Sequence, residues 1–145
     1  MKISNNFTLE ELYKSYTADS LKIDNKPNEK MKNNLIILVK EVLQPIRDAF
    51  GQPIIVSSGY RCSKLNKAVG GAANSDHLYG SAADIHTKSD KPEDNKVLFD
   101  TICMLAKTKK IKCRQIIDEY GYNWVHVSIN NEYNSKKDNQ ILHIK

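Results

Sequence analysis

No stretch of this 145-residue chain approaches the ~20 consecutive apolar residues of a membrane-spanning helix, so membrane insertion is not expected. Met1 to Phe7 carry one cation and no apolar core, unlike a secretory leader, and synthesis in the cytoplasm is the expectation. Cysteine is scarce: Cys62, Cys103 and Cys113 are odd in number and lack C-x-x-C spacing, which points to reduced thiols and against a disulfide framework. Repeats, low-complexity segments and linkers are also missing, so a single domain over residues 1–145 is expected. A chain of this size buries about two-thirds of its unfolded surface. The charge balance is mildly basic, with 22 Lys and Arg against 17 Asp and Glu. The lysines are spread along the chain, clustering only at Lys107, Lys109, Lys110 and Lys112. With no basic stripe interleaved with aromatics, nucleic acid is not an expected partner. The surplus of +5 would suit an acidic cell-wall polymer, though scattered, solvated lysines are the simpler account.

The elements can be placed from periodicity and punctuation. Thr8 and Glu11 have capping-box spacing and Phe7 with Leu12 that of a hydrophobic staple, which predicts a helix start. A polar loop at Asp24 to Asn28 precedes helical spacing of Met31, Leu35, Leu38, Val39, Val42, Leu43 and Ile46 up to Phe50. Pro45 should bend or divide that helix, and Gly51 should end it. Pro53 to Ser58 reads as a strand, Ser63 to Val69 as a short helix, and Gly70 to Asn74 as a turn. Ser81 to His86 reads as a buried strand and Lys91 to Lys109 as a helix with Pro92 in its first turn. Arg114 to Tyr120 and Asn123 to Ile129 read as strands joined at Gly121-Tyr122, with Ile141 to Ile144 a further edge strand.

Chemistry concentrates in Ser75-Asp-His-Leu-Tyr-Gly-Ser-Ala-Ala-Asp84 and in Trp124-Val-His-Val-Ser128. His77, Asp84 and His126 form a set of two imidazoles and one carboxylate. That set suits a zinc ion with one coordination position left for water. Small residues between His77 and Asp84 let both side chains turn inward, and strand alternation puts Trp124, His126 and Ser128 on one face. Taken singly, a strand histidine is more often a satisfied polar group than a ligand; His86 and His143 fit that description and are excluded. Spacing alone leaves the zinc and structural readings level. Cys62, beside Arg61, is a weak candidate for a thiol nucleophile or fourth ligand because no histidine is local to it.

The pattern Ser75-x-His77-x-x-Gly80-x-Ala82-x-Asp84, followed by Trp124-Val125-His126, resembles the M15 zinc peptidases, the D-alanyl-D-alanine carboxypeptidase and L-alanyl-D-glutamate endopeptidase group. The likeness is greatest to the short, phage-type branch, with segments similar to Leu43–Arg47, Ser58–Arg61, Leu65-Asn66, Gly70-Gly71 and Gln115–Glu119. The resemblance implies an α+β fold shared with hedgehog domains: a small antiparallel sheet carrying the zinc site, flanked by helices. It implies His77, Asp84 and His126 as zinc ligands, Arg61 as substrate and oxyanion partner, and Ser75 as a substrate contact or a loop cap. Many relatives carry an acid three residues before the last histidine, where this chain has Asn123. Glu119 matches the acidic position of the phage-type branch and is the expected general base, with Asp118 as runner-up on the opposite face. The implied activity is zinc-dependent hydrolysis of amide bonds in peptidoglycan stem peptides by a monomeric phage or prophage lytic enzyme that reaches the wall at lysis. A non-catalytic zinc-binding or wall-binding module of the same fold is the alternative.

Overall fold

The rod from Glu29 to Phe50 shows how one proline shapes the first half of the molecule. In the computed structural model, which describes residues 1–145, α2 (Glu29–Leu38) passes into a π-helical turn at Val39–Leu43 and then into α3 (Gln44–Phe50). Pro45 stands two residues beyond the π turn, where its ring would press on the carbonyl four residues back in a regular helix. The wider turn, in which the Gln44 N–H reaches the Val39 carbonyl, removes that conflict without breaking the rod. Asn28 caps its start, its side chain accepting from the Met31 N–H at 2.9 Å, and Gly51 closes it in the left-handed conformation.

The segment before the rod differs from expectation. Lys2–Ser4 and Phe7–Thr8 form a small antiparallel pair, β1 and β2, followed by a single 3-10 turn at Glu10–Leu12 and a short helix α1 at Tyr16–Ser20. The reciprocal capping contacts between Thr8 and Glu11 are present, at 3.3 and 3.5 Å, but no long helix follows them. Ser15 opens α1 three residues after Leu12, so the chain turns before a second helical turn can form. Phe7 and Leu12 are both buried.

The main sheet has the order β3-β4-β6-β5-β7, from Ile54–Ser58, Ala82–Thr87, Trp124–Ser128, Gln115–Glu119 and Gln140–Ile144. Its first four strands are antiparallel, whereas β7 runs parallel to β5. The cause is geometric: β6 finishes beside the start of β5, and the 129–139 loop passes round that end and lays Gln140 against Gln115. Between β3 and β4, α4 (Ser63–Ala68) and a 3-10 turn at Asp76–Tyr79 lie near the sheet.

Strand alternation gives the sheet two unlike faces. Ala83, Ile85, Ile116, Val125 and Val127 point into a core of 23 buried residues shared with the rod and with α5 (Pro92–Lys107). Each fully buried aliphatic side chain there contributes about 1.5–3 kcal/mol. Asp84, Ile117 and His126 project from the other face. No helix is long and apolar enough to cross a membrane.

Candidate metal centre

His77 is fixed before any metal is considered. The Ser75 hydroxyl accepts from the His77 N–H at 3.2 Å, which starts the 3-10 turn, and Gly80 ends it at φ 67°. A side chain at Gly80 would be strained by that φ and would put its Cβ 2.4 Å from the Met31 carbonyl, so this turn can sit against the rod only with glycine there. The imidazole Nδ1 lies 2.7 Å from the Gly59 carbonyl. A carbonyl only accepts, so Nδ1 carries a proton, and Nε2 is the ring atom turned towards Asp84 and the site. Gly59 is itself irreplaceable, since a Cβ there would lie 2.0 Å from the Leu12 carbonyl oxygen.

His126 faces Asp84 directly in the β4–β6 register. Asp84 Oδ1 is 3.0 Å from His126 Nδ1 and 3.3 Å from His77 Nε2. The three ligand atoms lie within 4.8 Å of one another and all three residues are buried. Tetrahedral zinc with arms of about 2.0–2.1 Å separates neighbouring ligand atoms by roughly 3.3 Å, close to both separations measured from Asp84 Oδ1. Burial works against the charge on Asp84, but the two imidazoles outweigh it and hold the carboxyl well below the usual carboxylate range. Burial likewise opposes a charged His126, and the hydrogen bond and charge of Asp84 overcome it, raising the imidazole above its ordinary value. A divalent cation held here would take the place of the proton that His126 shares with Asp84.

The second oxygen of Asp84 accepts from Arg61 Nη2 at 3.3 Å. Arg61 also donates through Nε to Ser58 Oγ at 3.0 Å and through Nη1 to Asn66 Oδ1 at 3.2 Å. Two of its five N–H groups stay uncommitted at the wall of a cavity of about 460 Å³ that contains His77, Asp84 and His126. Glu119 and Trp124 line the same cavity, opposite one another in the β5–β6 register, and the Trp124 indole N–H donates to Glu119 Oε2.

The remaining sequence candidates are placed as follows. Ser75 caps the turn and also lines the cavity. Asp118 is buried away from the cavity, accepting the Tyr122 N–H at 2.7 Å and facing His143 Nδ1 at 2.9 Å. That acceptor supports a turn in which Tyr120, Gly121 and Tyr122 all have positive φ. Asn123 lies in this turn and outside the cavity lining; its N–H donates to the Glu119 carbonyl. Cys62 caps α4 through its sulfur and takes no place among the ligands.

One structural pair escaped the sequence. Asp76, buried beside His77 in the chain, receives Arg114 Nη1 at 2.9 Å, Asn131 Nδ2 at 2.9 Å and Asn134 Nδ2 at 2.6 Å. Arg114 Nε donates to the Ser135 carbonyl at 2.8 Å, so this cluster ties the 129–139 loop to the turn that carries His77. The partners are 38 to 58 residues away, and no local pattern marks them.

Comparison with known proteins agrees with this geometry. The model of the family described as Peptidase M15 matches residues 5–128. A zinc D-Ala-D-Ala carboxypeptidase from Streptomyces albus G is 48% identical over 54 residues, which cover 37% of this chain and 20% of that relative. The chain therefore matches about one fifth of the length of that curated relative.

Proposed function

Because the chain belongs to the Peptidase M15 family, we propose that it is a zinc-dependent peptidase that hydrolyses amide bonds in peptidoglycan stem peptides. The observation that carries this reading is the shared cavity: two histidines and an aspartate with ligand spacing, a carboxylate at Glu119, and a guanidinium at Arg61 with free donors. A zinc ion held by His77, Asp84 and His126 would supply Lewis acidity at a carbonyl and lower the pKa of a water molecule. Glu119, oriented by the Trp124 indole, takes the proton of the attacking water and returns it to the leaving amine. Arg61 offers its two free N–H groups to a substrate carboxylate or to the developing oxyanion, and it stays charged throughout. Asn123 is no obstacle to this scheme, because its position lies in the β5–β6 turn while Glu119 lines the cavity. The named relative supports zinc as the metal and D-alanyl peptides as a substrate class. A phage or prophage lytic role follows from the motif resemblance alone.

The test is mass spectrometry of a peptidoglycan digest by zinc-loaded protein, which also identifies the bond. New amino termini or free D-alanine should appear, vanish with a chelator, and be absent with His126→Ala. Glu119→Gln should retain zinc and lose about 10²–10⁴ in kcat, while Asp118→Asn should keep kcat near the wild-type value. Zinc binding without any hydrolysis would instead identify a non-catalytic module of the same fold. Full activity of Glu119→Gln would move the base elsewhere.

A further inference from the structure

The metal-bearing face of the sheet carries a second depression, of about 560 Å³, beside the first. Ile55 and His86, opposite one another in the β3–β4 register, contribute to its lining. Asp84 and His86 are two residues apart on β4 and therefore share a face, so this surface continues outward from a metal ligand. Arg61 and Val69 line both cavities and join them. Ile55 and Val69 are 41% and 43% exposed, an apolar surface that adjoins the catalytic cavity. Lys14 and Arg61 supply positive charge at its walls, with Glu11 the single carboxylate.

β3 is also an edge strand, and its outer side borders this groove. Opposite Ile54, the Thr87 N–H is spent on Asn95 Oδ1 at 2.9 Å, so Ile54–Thr87 is not a hydrogen-bonded pair and the neighbouring Ile55–His86 is. By alternation, the N–H and C=O groups of Ile54 and Val56 point away from β4. No backbone bond outside the strand pairing uses them. The devices that usually protect an edge are absent within β3, whose sequence Ile-Ile-Val-Ser-Ser has neither charge nor proline.

We propose that β3 is a substrate subsite, taking up the peptide on one side of the scissile bond as an added antiparallel or parallel strand. It rests on the peptidase reading above. Backbone pairing to Ile54 and Val56 holds the peptide extended, Ile55 and Val69 pack its small side chains, and Lys14 and Arg61 receive its carboxylates. In strand addition of this kind the main-chain hydrogen bonds supply the affinity.

The experiment is a kinetic scan with the stem pentapeptide, L-Ala-D-Glu-Lys-D-Ala-D-Ala, methylated at one backbone nitrogen at a time, on the zinc-loaded protein. Strand addition requires a period of two: at alternate residues outside the scissile bond, methylation should raise KM about tenfold and leave kcat little changed. Val56→Pro, which deletes an outward donor at a position where an edge strand accepts proline, should raise KM for the unmethylated peptide by a similar factor. Should Val56→Pro fail to fold, the scan on the wild-type protein decides alone. Cleavage that is indifferent to methylation, or uniformly impaired by it, overturns the subsite and leaves the peptidase reading intact. Cleavage of none of the peptides, the unmethylated one included, overturns both.

Discussion

At the scale of single residues, the proposed ligand His77 depends on a neighbour outside the three-residue metal set. Asp76 is buried, and its carboxylate is satisfied by Arg114, Asn131 and Asn134 together. Asp76→Asn keeps the size but exchanges an acceptor of charged and amide donors for a group that must present an N–H to one of them. Breaking a buried pair in this way costs about 3 kcal/mol. Because the same turn sets the His77 ring, zinc affinity should fall about 10- to 100-fold, as for other groups that orient a ligand. Competition with a fluorescent chelator measures the affinity, and urea unfolding the stability. Unchanged zinc affinity in a destabilised variant would make Asp76 a purely structural residue. The three proposed ligands could be picked out from sequence because two of them sit in one ten-residue run and the third on an alternating strand. Asp76 and Arg114 were not, since their pairing exists only once the 129–139 loop has folded over the turn.

At the scale of elements, the tightest demand is the approach of the 3-10 turn to the rod. Gly80→Ala would place a methyl group 2.4 Å from the Met31 carbonyl at a left-handed φ. The conformational part alone costs about 1 kcal/mol, and the backbone contact forces the turn away from α2. The expected result is a destabilised protein with weakened zinc binding, whereas Gly51→Ala, with open space around it, should show only the conformational cost. Equal effects of the two substitutions, read by thermal unfolding with and without zinc, would dissociate the turn from the site. Helix and strand positions followed from periodicity because the core-facing residues of the rod, β4, β5 and β6 repeat cleanly. What periodicity lacks is hydrogen-bond type and direction. Pro45 marked a disturbance, but the π turn that relieves it depends on how the rod meets the core. The β1–β2 pair is two to three residues long, too short for any repeat to show. Likewise the parallel direction of β7 is a consequence of where β6 ends.

At the scale of the whole molecule, the core and the site occupy opposite faces of one sheet, and each has its own response to solution conditions. On the core face, burial pushes the Cys113 thiol up to about 12 from an ordinary value near 9. The folded state therefore keeps the proton that the unfolded chain releases. Its contribution is fully present below about pH 9 and is lost as pH rises from there toward 12. Between pH 8 and pH 10.5, urea unfolding should show wild type losing about 2 kcal/mol more than Cys113→Ala, whatever the cavity costs at both pH values. An equal loss in the two proteins would show that Cys113 is not the group responsible.

The site face should respond to metal instead. His77, Asp84 and His126 come from a turn and two strands that meet only in the folded chain, so zinc binding adds to folding stability. At free zinc a hundredfold above Kd the gain is about 2.7 kcal/mol, which corresponds to a rise in Tm of about 8 °C for a chain of this size. None of the three ligands belongs to the 23-residue core, so that core does not need the ion to form. Chelated protein should still unfold cooperatively, at the lower Tm, and His126→Ala should have a Tm nearly indifferent to zinc. Loss of the cooperative transition on chelation would mean that the metal organises the fold itself. A zinc-independent Tm in the wild type would mean that these three side chains do not hold the ion.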